Sequence, residues 1–144
     1  MSFNKNEIEV YHKGIDLRTY KTIWLSSTWK TRDIAYAVHL YLDSQKINHT
    51  YTEKSSSKIT DQMQFALNDL PIPNTWYSSN NNISFICRNI VKTCKYPIII
   101  KDSFGSQGKN VAFILNAKQL VKKQRLLNKT KNYFIQEFIE NKYE

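Results

Sequence analysis

Apolar positions along this chain alternate between strand-like and helix-like spacing. Thr22–Leu25 is a short β-prone run, followed by the polar loop Ser26–Lys30. Thr31 is placed to cap a helix whose apolar positions Ile34, Ala35, Val38, Tyr41 and Leu42 follow helical spacing. His49–Glu53 reads as a second strand, so the stretch predicts a βαβ unit. Its first loop lies at the carboxyl end of a strand, where open α/β sheets bind ligands. The polar break Ser55–Ser57 predicts a boundary between a small α/β domain, 1–57, and a second domain, 58–144.

Beyond that break, Ile59, Met63, Ala66, Leu67 and Leu70 trace a helical stripe that Pro71 stops. Trp76-Tyr77 is a short extended piece, and Asn82–Thr93 reads as a helix. Pro97 and the isoleucines that follow it predict a buried strand over Tyr96–Lys101. A glycine-bearing loop, Asp102–Lys109, separates it from a strand over Asn110–Leu115, which predicts a hairpin. Asn116, with Gln119 three residues on, predicts a capped helix that packs through Leu120, Val121 and Leu127. That helix turns Lys118, Lys122, Lys123 and Arg125 outward. Tyr133–Ile139 closes the chain as an alternating strand, with Tyr133 and Ile135 on one face and Phe134, Gln136 and Phe138 on the other. It is expected to stand partly uncovered, as an edge.

Composition narrows this picture. A hydrophobic fraction of 41% and an aromatic fraction of 13% suffice for a packed core and exclude wholesale disorder. The net charge of +9 favours anionic partners without choosing among nucleotides, acidic peptides and nucleic acids. No apolar run approaches the roughly 20 residues that span a bilayer, and the polar start Met1–Ile8 lacks a signal-peptide core. A cytoplasmic protein is expected. Cys87 and Cys94, seven apart on one helix, are read as small core residues in a reducing compartment. His12, His39 and His49 are scattered and are read as structural or exposed, so no metal site is expected.

The candidate chemistry sits in Ile98-Ile99-Ile100-Lys101 followed by Asp102-Ser103-Phe104-Gly105-Ser106-Gln107-Gly108-Lys109-Asn110-Val111. A strand fixes Lys101 at the rim of a site, and lysine suits phosphate as a mobile point charge. The backbone N–H groups of a small-residue hairpin can fold over an anion. A P-loop is excluded, because only Ser106 and Gln107 separate the glycines and Asn110 follows Lys109. Gly105-Ser106-Gln107-Gly108 also matches the GXXG loop of a KH domain, which with the basic surface leaves an RNA-binding module as the alternative reading. A KH loop joins two helices, whereas Pro97 and the isoleucines predict a strand.

The order of these features resembles the ATP-grasp superfamily, in particular the ligases related to ribosomal-protein glutamate ligases and D-alanine–D-alanine ligases. Lys58-Ile59-Thr60-Asp61-Gln62 with Leu70-Pro71-Ile72-Pro73-Asn74-Thr75 is similar to that family's "K…L…GIPIP.T" segment. Tyr96–Val111 is similar to "P.VIKP..GS.G.GV", and Phe134-Ile135-Gln136-Glu137-Phe138-Ile139 to the interlobe strand "..IQEFI". The resemblance covers about residues 58–144. It implies a small pre-ATP-grasp α/β domain followed by the N-terminal lobe of an ATP-grasp fold.

The resemblance also implies roles. Lys58 and Lys101 would contact the phosphates of ATP. Ser103, Gly105, Ser106, Gln107 and Gly108 would belong to a flap over them. Glu137 and Phe138 would face adenine at the hinge, and Glu144 would hold the ribose hydroxyls. Thr28, Lys30 and Arg32, at the first βα loop, are candidate contacts for a carboxylate substrate. The reaction implied is ligation of a carboxylate to an amine or thiol through an acyl phosphate. Two departures stand out: Asp102 occupies the position where the family usually has proline, and the chain ends where a second lobe would begin. That lobe would supply the ligands for Mg2+, so this chain is expected to hold ATP without turning it over, and no catalytic residue is assigned in it.

Overall fold

The computed structural model describes residues 1–4, 7–28, 30–52, 54–104 and 111–140, leaving aside the side chains of Ser84 and Phe85. The chain forms two compact units, Met1 with Asn6–Ile72 and Ser2–Lys5 with Pro73–Glu144. The predicted boundary at Ser57 thus precedes a helix that belongs to the first unit.

The chain opens with β1 (Ser2–Asn4), which belongs to the second unit. The first unit then carries β2 (Glu7–Glu9) and a hairpin of β3 (Tyr11–His12) and β4 (Ile15–Asp16). Lys13 and Gly14, with φ of 50° and 81°, make its two-residue turn. A turn with both central residues left-handed matches the strand twist, and glycine takes that shape without strain. A 3-10 turn (Leu17–Thr19), β5 (Thr22–Ile23), α1 (Arg32–Ser44), β6 (Asn48–His49) and α2 (Lys58–Leu67) complete the unit.

β5 and β6 pair in parallel around α1, as the βαβ reading expects. Their backbone pairing is shorter than the sequence pattern suggests. Beyond it the Thr50 hydroxyl takes over, accepting from Leu25 N at 2.8 Å and donating to Leu25 O at 3.0 Å. α1 buries Ala35, Tyr36, Ala37, Tyr41 and Leu42, and α2 packs on it through Ile59, Thr60 and Met63. Thr31 stands at the N-cap position of α1 but makes no side-chain cap; its hydroxyl accepts from Thr28 N instead, at 2.9 Å. α2 stops at Leu67, before the proline predicted to end it. Asp69 turns left-handed (φ 55°) and Leu70 N donates to Phe65 O at 3.0 Å, closing the helix end. Leu70 therefore leaves the apolar stripe and is 49% exposed.

In the second unit follow β7 (Thr75–Ser79), α3 (Asn80–Cys94), β8 (Ile98–Asp102), β9 (Val111–Ile114), α4 (Ala117–Leu126) and β10 (Asn132–Glu137). Its strands stand in the order β1-β7-β10-β8-β9, with antiparallel pairing throughout. α3 and α4 cover one face, where Trp76, Ile83, Ile90, Cys94, Ile98, Ile100, Ile114, Leu120, Tyr133 and Ile135 form the core. α4 is capped as expected by Asn116, whose Oδ1 accepts from Gln119 N at 3.0 Å, although Gln119 Oε1 reaches back to Leu115 N. Leu120 is buried, while Val121, one residue round the helix, is turned outward and 38% exposed.

β10 is an interior strand, not an edge, because β7 and β8 flank it. Tyr133, Phe134, Ile135 and Gln136 are consequently all buried, on both faces.

Candidate nucleotide site

Two adjacent residues at the end of β8 separate by strand alternation. Lys101 stands opposite Phe134 and Asp102 opposite Tyr133 across the β8–β10 pair. Successive side chains of a strand point to opposite faces. Tyr133 lies in the helix-covered core, so Asp102 is directed there and Lys101 to the other face. Asp102 is 3% exposed, and its Oδ2 accepts from Lys131 Nζ at 2.6 Å. Its Oδ1 accepts from Phe104 N at 3.0 Å. The hydrogen bond to Asp102 is also the main reason that Lys131 holds its proton more tightly than an ordinary lysine.

The Lys101 face is aromatic. Phe134 stands opposite both Lys101 and Tyr77, with Lys101 Nζ 5.7 Å from the Phe134 ring centre. The Tyr77 and Phe134 rings tilt together at 4.9 Å. Further along, Gln136 stands opposite Thr75 and Ile99, and Ile99 opposite Phe113. Gln136 Nε2 donates to Thr75 Oγ1 at 2.8 Å, and that hydroxyl donates to Pro73 O at 2.7 Å. Phe113 meets Phe138 edge to face at 5.0 Å, yet the two remain 50% and 41% exposed. A lysine that suits phosphate thus shares one sheet face with solvent-accessible ring surface that suits a flat base.

The end of β10 is held by its neighbours. Glu137 accepts from Asn74 N and Asn74 Nδ2, both at 2.8 Å, while Glu137 N donates to Asn74 O at 3.0 Å. Phe138 N donates to Pro97 O at 3.1 Å. The Glu137 carboxylate is therefore engaged in fixing the Asn74 loop, and Phe138 offers its ring. Ser103 N continues the β8–β10 ladder to Asn132 O at 3.2 Å, and the Ser103 hydroxyl is buried without a hydrogen-bond partner among the described residues. Gly105, Ser106, Gln107, Gly108 and Glu144 lie outside the described residues. β8 and β9, the strands on either side of those glycines, pair antiparallel.

Of the remaining candidates, Lys58 occupies the exposed first turn of α2, behind a capping box of Ser57 and Thr60. A cation there opposes the helix dipole, so the position is not explained by helix stability. Thr28 closes a tight turn with Thr31, whose N–H donates to Thr28 O at 2.9 Å; Lys30 and Arg32 are exposed. These residues and Lys58 belong to the first unit, and Lys101, Ser103, Glu137 and Phe138 to the second. Phe134, Tyr77 and Phe113 were not anticipated around Lys101. Alternation along each strand was visible, but which strands adjoin was not. His39 and His49, read as scattered, meet at 2.9 Å.

Comparison with known proteins bears out the resemblance. The model of the RimK-like ATP-grasp domain matches residues 55–144, a stretch that contains all three resembling segments. The chain belongs to the RimK-like ATP-grasp domain family. A RimK domain ATP-grasp protein from Sphaerobacter thermophilus has a similar solved structure, at 20% identity and a TM-score of 0.45. The match covers 74% of this chain and 42% of that one, so this chain spans less than half of that protein's length. No curated protein sequence matches it. No helix of the described residues is long and apolar enough to cross a membrane. ATP-grasp domains in general bind ATP and Mg2+.

Proposed function

We propose that this chain supplies the nucleotide-holding portion of an ATP-dependent ligase that joins a carboxylate to an amine or thiol. In that reaction the carboxylate oxygen takes the γ-phosphoryl group and ADP leaves. The amine or thiol then attacks the acyl carbon, the new bond forms as the C–O bond breaks, and phosphate departs. The observation that carries the reading is Lys101, set on the aromatic face of the sheet near the end of β8, with Asp102 turned away. Lys101 would neutralise phosphate charge, Phe138 and Phe113 would pack the base, and 103–108 would cover the phosphates. Lys58 and Glu144 keep the roles that the family resemblance implies, and Thr28, Lys30 and Arg32 remain candidate substrate contacts by their place at the first βα loop.

Magnesium would supply charge neutralisation at the transferred phosphoryl group. Among the described residues, the one trio of metal-ligating side chains belongs to the first unit and contains two imidazoles. It does not fit magnesium, which demands oxygen ligands, so no step is routed through that ion here. ATP as substrate and two free thiols suit a cytoplasmic setting.

Mg-ATP is expected to raise the melting temperature of the chain, and Lys101→Met to reduce that rise while leaving the nucleotide-free melting temperature nearly unchanged. A Lys101→Met protein that responds as wild type does would overturn the site. Salt-sensitive RNA binding without any response to ATP would favour the KH-like alternative instead.

A further inference from the structure

The first unit contains a constellation with no part in the nucleotide reading. His39 and Asp43 are four apart on α1, which places them on one helix face. The connection out of α1 folds back tightly, with Ile47 N donating to Leu42 O at 3.0 Å and Lys46 left-handed at φ 55°. That return brings His49 of β6 against the same face. His49 Nε2 lies 2.9 Å from His39 Nδ1 and 3.5 Å from Asp43 Oδ1, and His39 Nε2 lies 3.2 Å from Asp43 Oδ2.

We propose that His39, Asp43 and His49 bind a divalent transition-metal ion of the zinc or nickel type. Hydrogen placement supports it first. His49 Nδ1 sits 2.8 Å from Ile47 O, an atom that can only accept, so Nδ1 carries a hydrogen and, in the neutral ring, Nε2 keeps a lone pair. A carbonyl that fixes the tautomer in this way is the usual outer support of a metal-ligating histidine. If the neutral His39 ring donates from Nδ1 to that lone pair, its Nε2 turns a second lone pair toward the Asp43 carboxylate. Acceptors then face acceptors, and a cation at their centre resolves the conflict.

Spacing and access agree. Tetrahedral N and O donors at zinc distances stand about 3.3 Å apart; with one ligand atom from each residue the three donors lie within 4.8 Å of one another, so the site must draw in when an ion binds. One His39 nitrogen must be chosen, which a turn of that ring accomplishes. The imidazoles are nearly enclosed, at 14% and 8% exposure, whereas Asp43 is 59% exposed and opens the cluster to solvent. Tyr36 stacks on His39 at 5.8 Å and Tyr51 meets its edge at 5.7 Å, so aromatic rings wall the cluster. The last turn of α1 carries no basic residue, and an acid at the negative end of a helix is itself favoured by a nearby cation. Two imidazoles and one carboxylate suit Zn2+, Ni2+ or Co2+ and leave coordination positions for water.

The test uses the untagged full chain, stripped with a chelator and titrated with Co2+. A saturable visible absorption band at one ion per chain is expected, displaced by Zn2+. Asp43→Asn should weaken binding roughly tenfold or more, a His39→Gln/His49→Gln pair should abolish it, and His12→Gln should leave it unchanged. Should the paired variant fail to fold, imidazole resonances of the wild-type chain decide: Zn2+ must shift those of His39 and His49. A band that survives in the folded paired variant, or His39 and His49 resonances unmoved by Zn2+, overturns the proposal and leaves a proton as the sole occupant.

Discussion

The carboxylate of Glu137 ties the end of the central strand to the loop that leads into β7, and its removal should be costly. It accepts two hydrogen bonds from Asn74 at 2.8 Å, one from the backbone and one from the side-chain amide. A hydrogen bond to a charged group contributes about 1.5–3 kcal/mol net. Both residues are only half-buried, so solvent screens the pair and can partly replace the lost acceptor. Taking the low end for each bond and discounting for that exposure, Glu137→Ala should destabilise the chain by about 2 kcal/mol. Glu137→Gln provides the control. Its carbonyl oxygen can still accept from Asn74 N, and the Asn74 side chain can turn round to accept from the new amide. That variant should lose less than about 1 kcal/mol. Urea unfolding followed by far-UV circular dichroism reads both values, and the Mg-ATP melting shift should survive in Glu137→Gln. A loss below about 0.5 kcal/mol in Glu137→Ala, or equal losses in the two variants, would refute this account of the strap.

Three further outcomes are expected. Ile135→Ala, at a fully buried position of the interior strand, should cost about 3–4 kcal/mol in the same unfolding experiment, and a loss under about 1.5 kcal/mol would contradict its central placement. Burial pushes the Cys94 thiol up to about 12 and keeps it neutral, so a thiol-specific reagent at pH 7 should modify the half-buried Cys87 well before Cys94 in the folded chain; equal rates would be inconsistent with that. The hydrogen bond from Arg18 is the main cause holding Asp16 below its ordinary value of 3.8. Such a depressed group contributes stability that is present above that value and lost as pH falls through the folded-state one. Asp16→Asn should therefore flatten the decline of stability below about pH 4, and an unchanged acid limb would argue against the Arg18 contact.

How much of this was legible depended on how local each determinant is. Pro97 before three isoleucines and Asn116 ahead of Gln119 are local signals, and both elements formed where those residues stand. β1 gave no such signal. Its three residues are polar apart from Phe3, and its strand character comes from pairing Phe3 with Thr75, far along the chain. The same holds for His39 and His49: the four-residue spacing of His39 and Asp43 was visible, but the turn that delivers His49 was not. β10 was read correctly as alternating, yet its neighbours on both sides decide that it is buried on both faces. Within the nucleotide site, the lysine and the flap were legible because they are contiguous. The aromatic floor was not, because it is assembled across β7, β9 and β10.

Asp102 joins these two kinds of information. Read along the sequence, an acid beside Lys101 counts against a phosphate site, since it would repel the ligand that the lysine attracts. Strand alternation reverses that inference, because neighbours in a strand face opposite sides and the helix-covered side is where Asp102 finds Lys131. The acid then has a different task. One oxygen takes the Phe104 N–H, two residues on, and the other holds the lysine that precedes β10. Side-chain acceptance of an N–H two residues ahead is the way Asp turns a chain out of a strand. A proline after the lysine would mark the same exit by removing a backbone donor and fixing φ. Asp102 can therefore end β8 by hydrogen bonding in place of a proline's ring geometry, and the positive field on the Lys101 face is preserved.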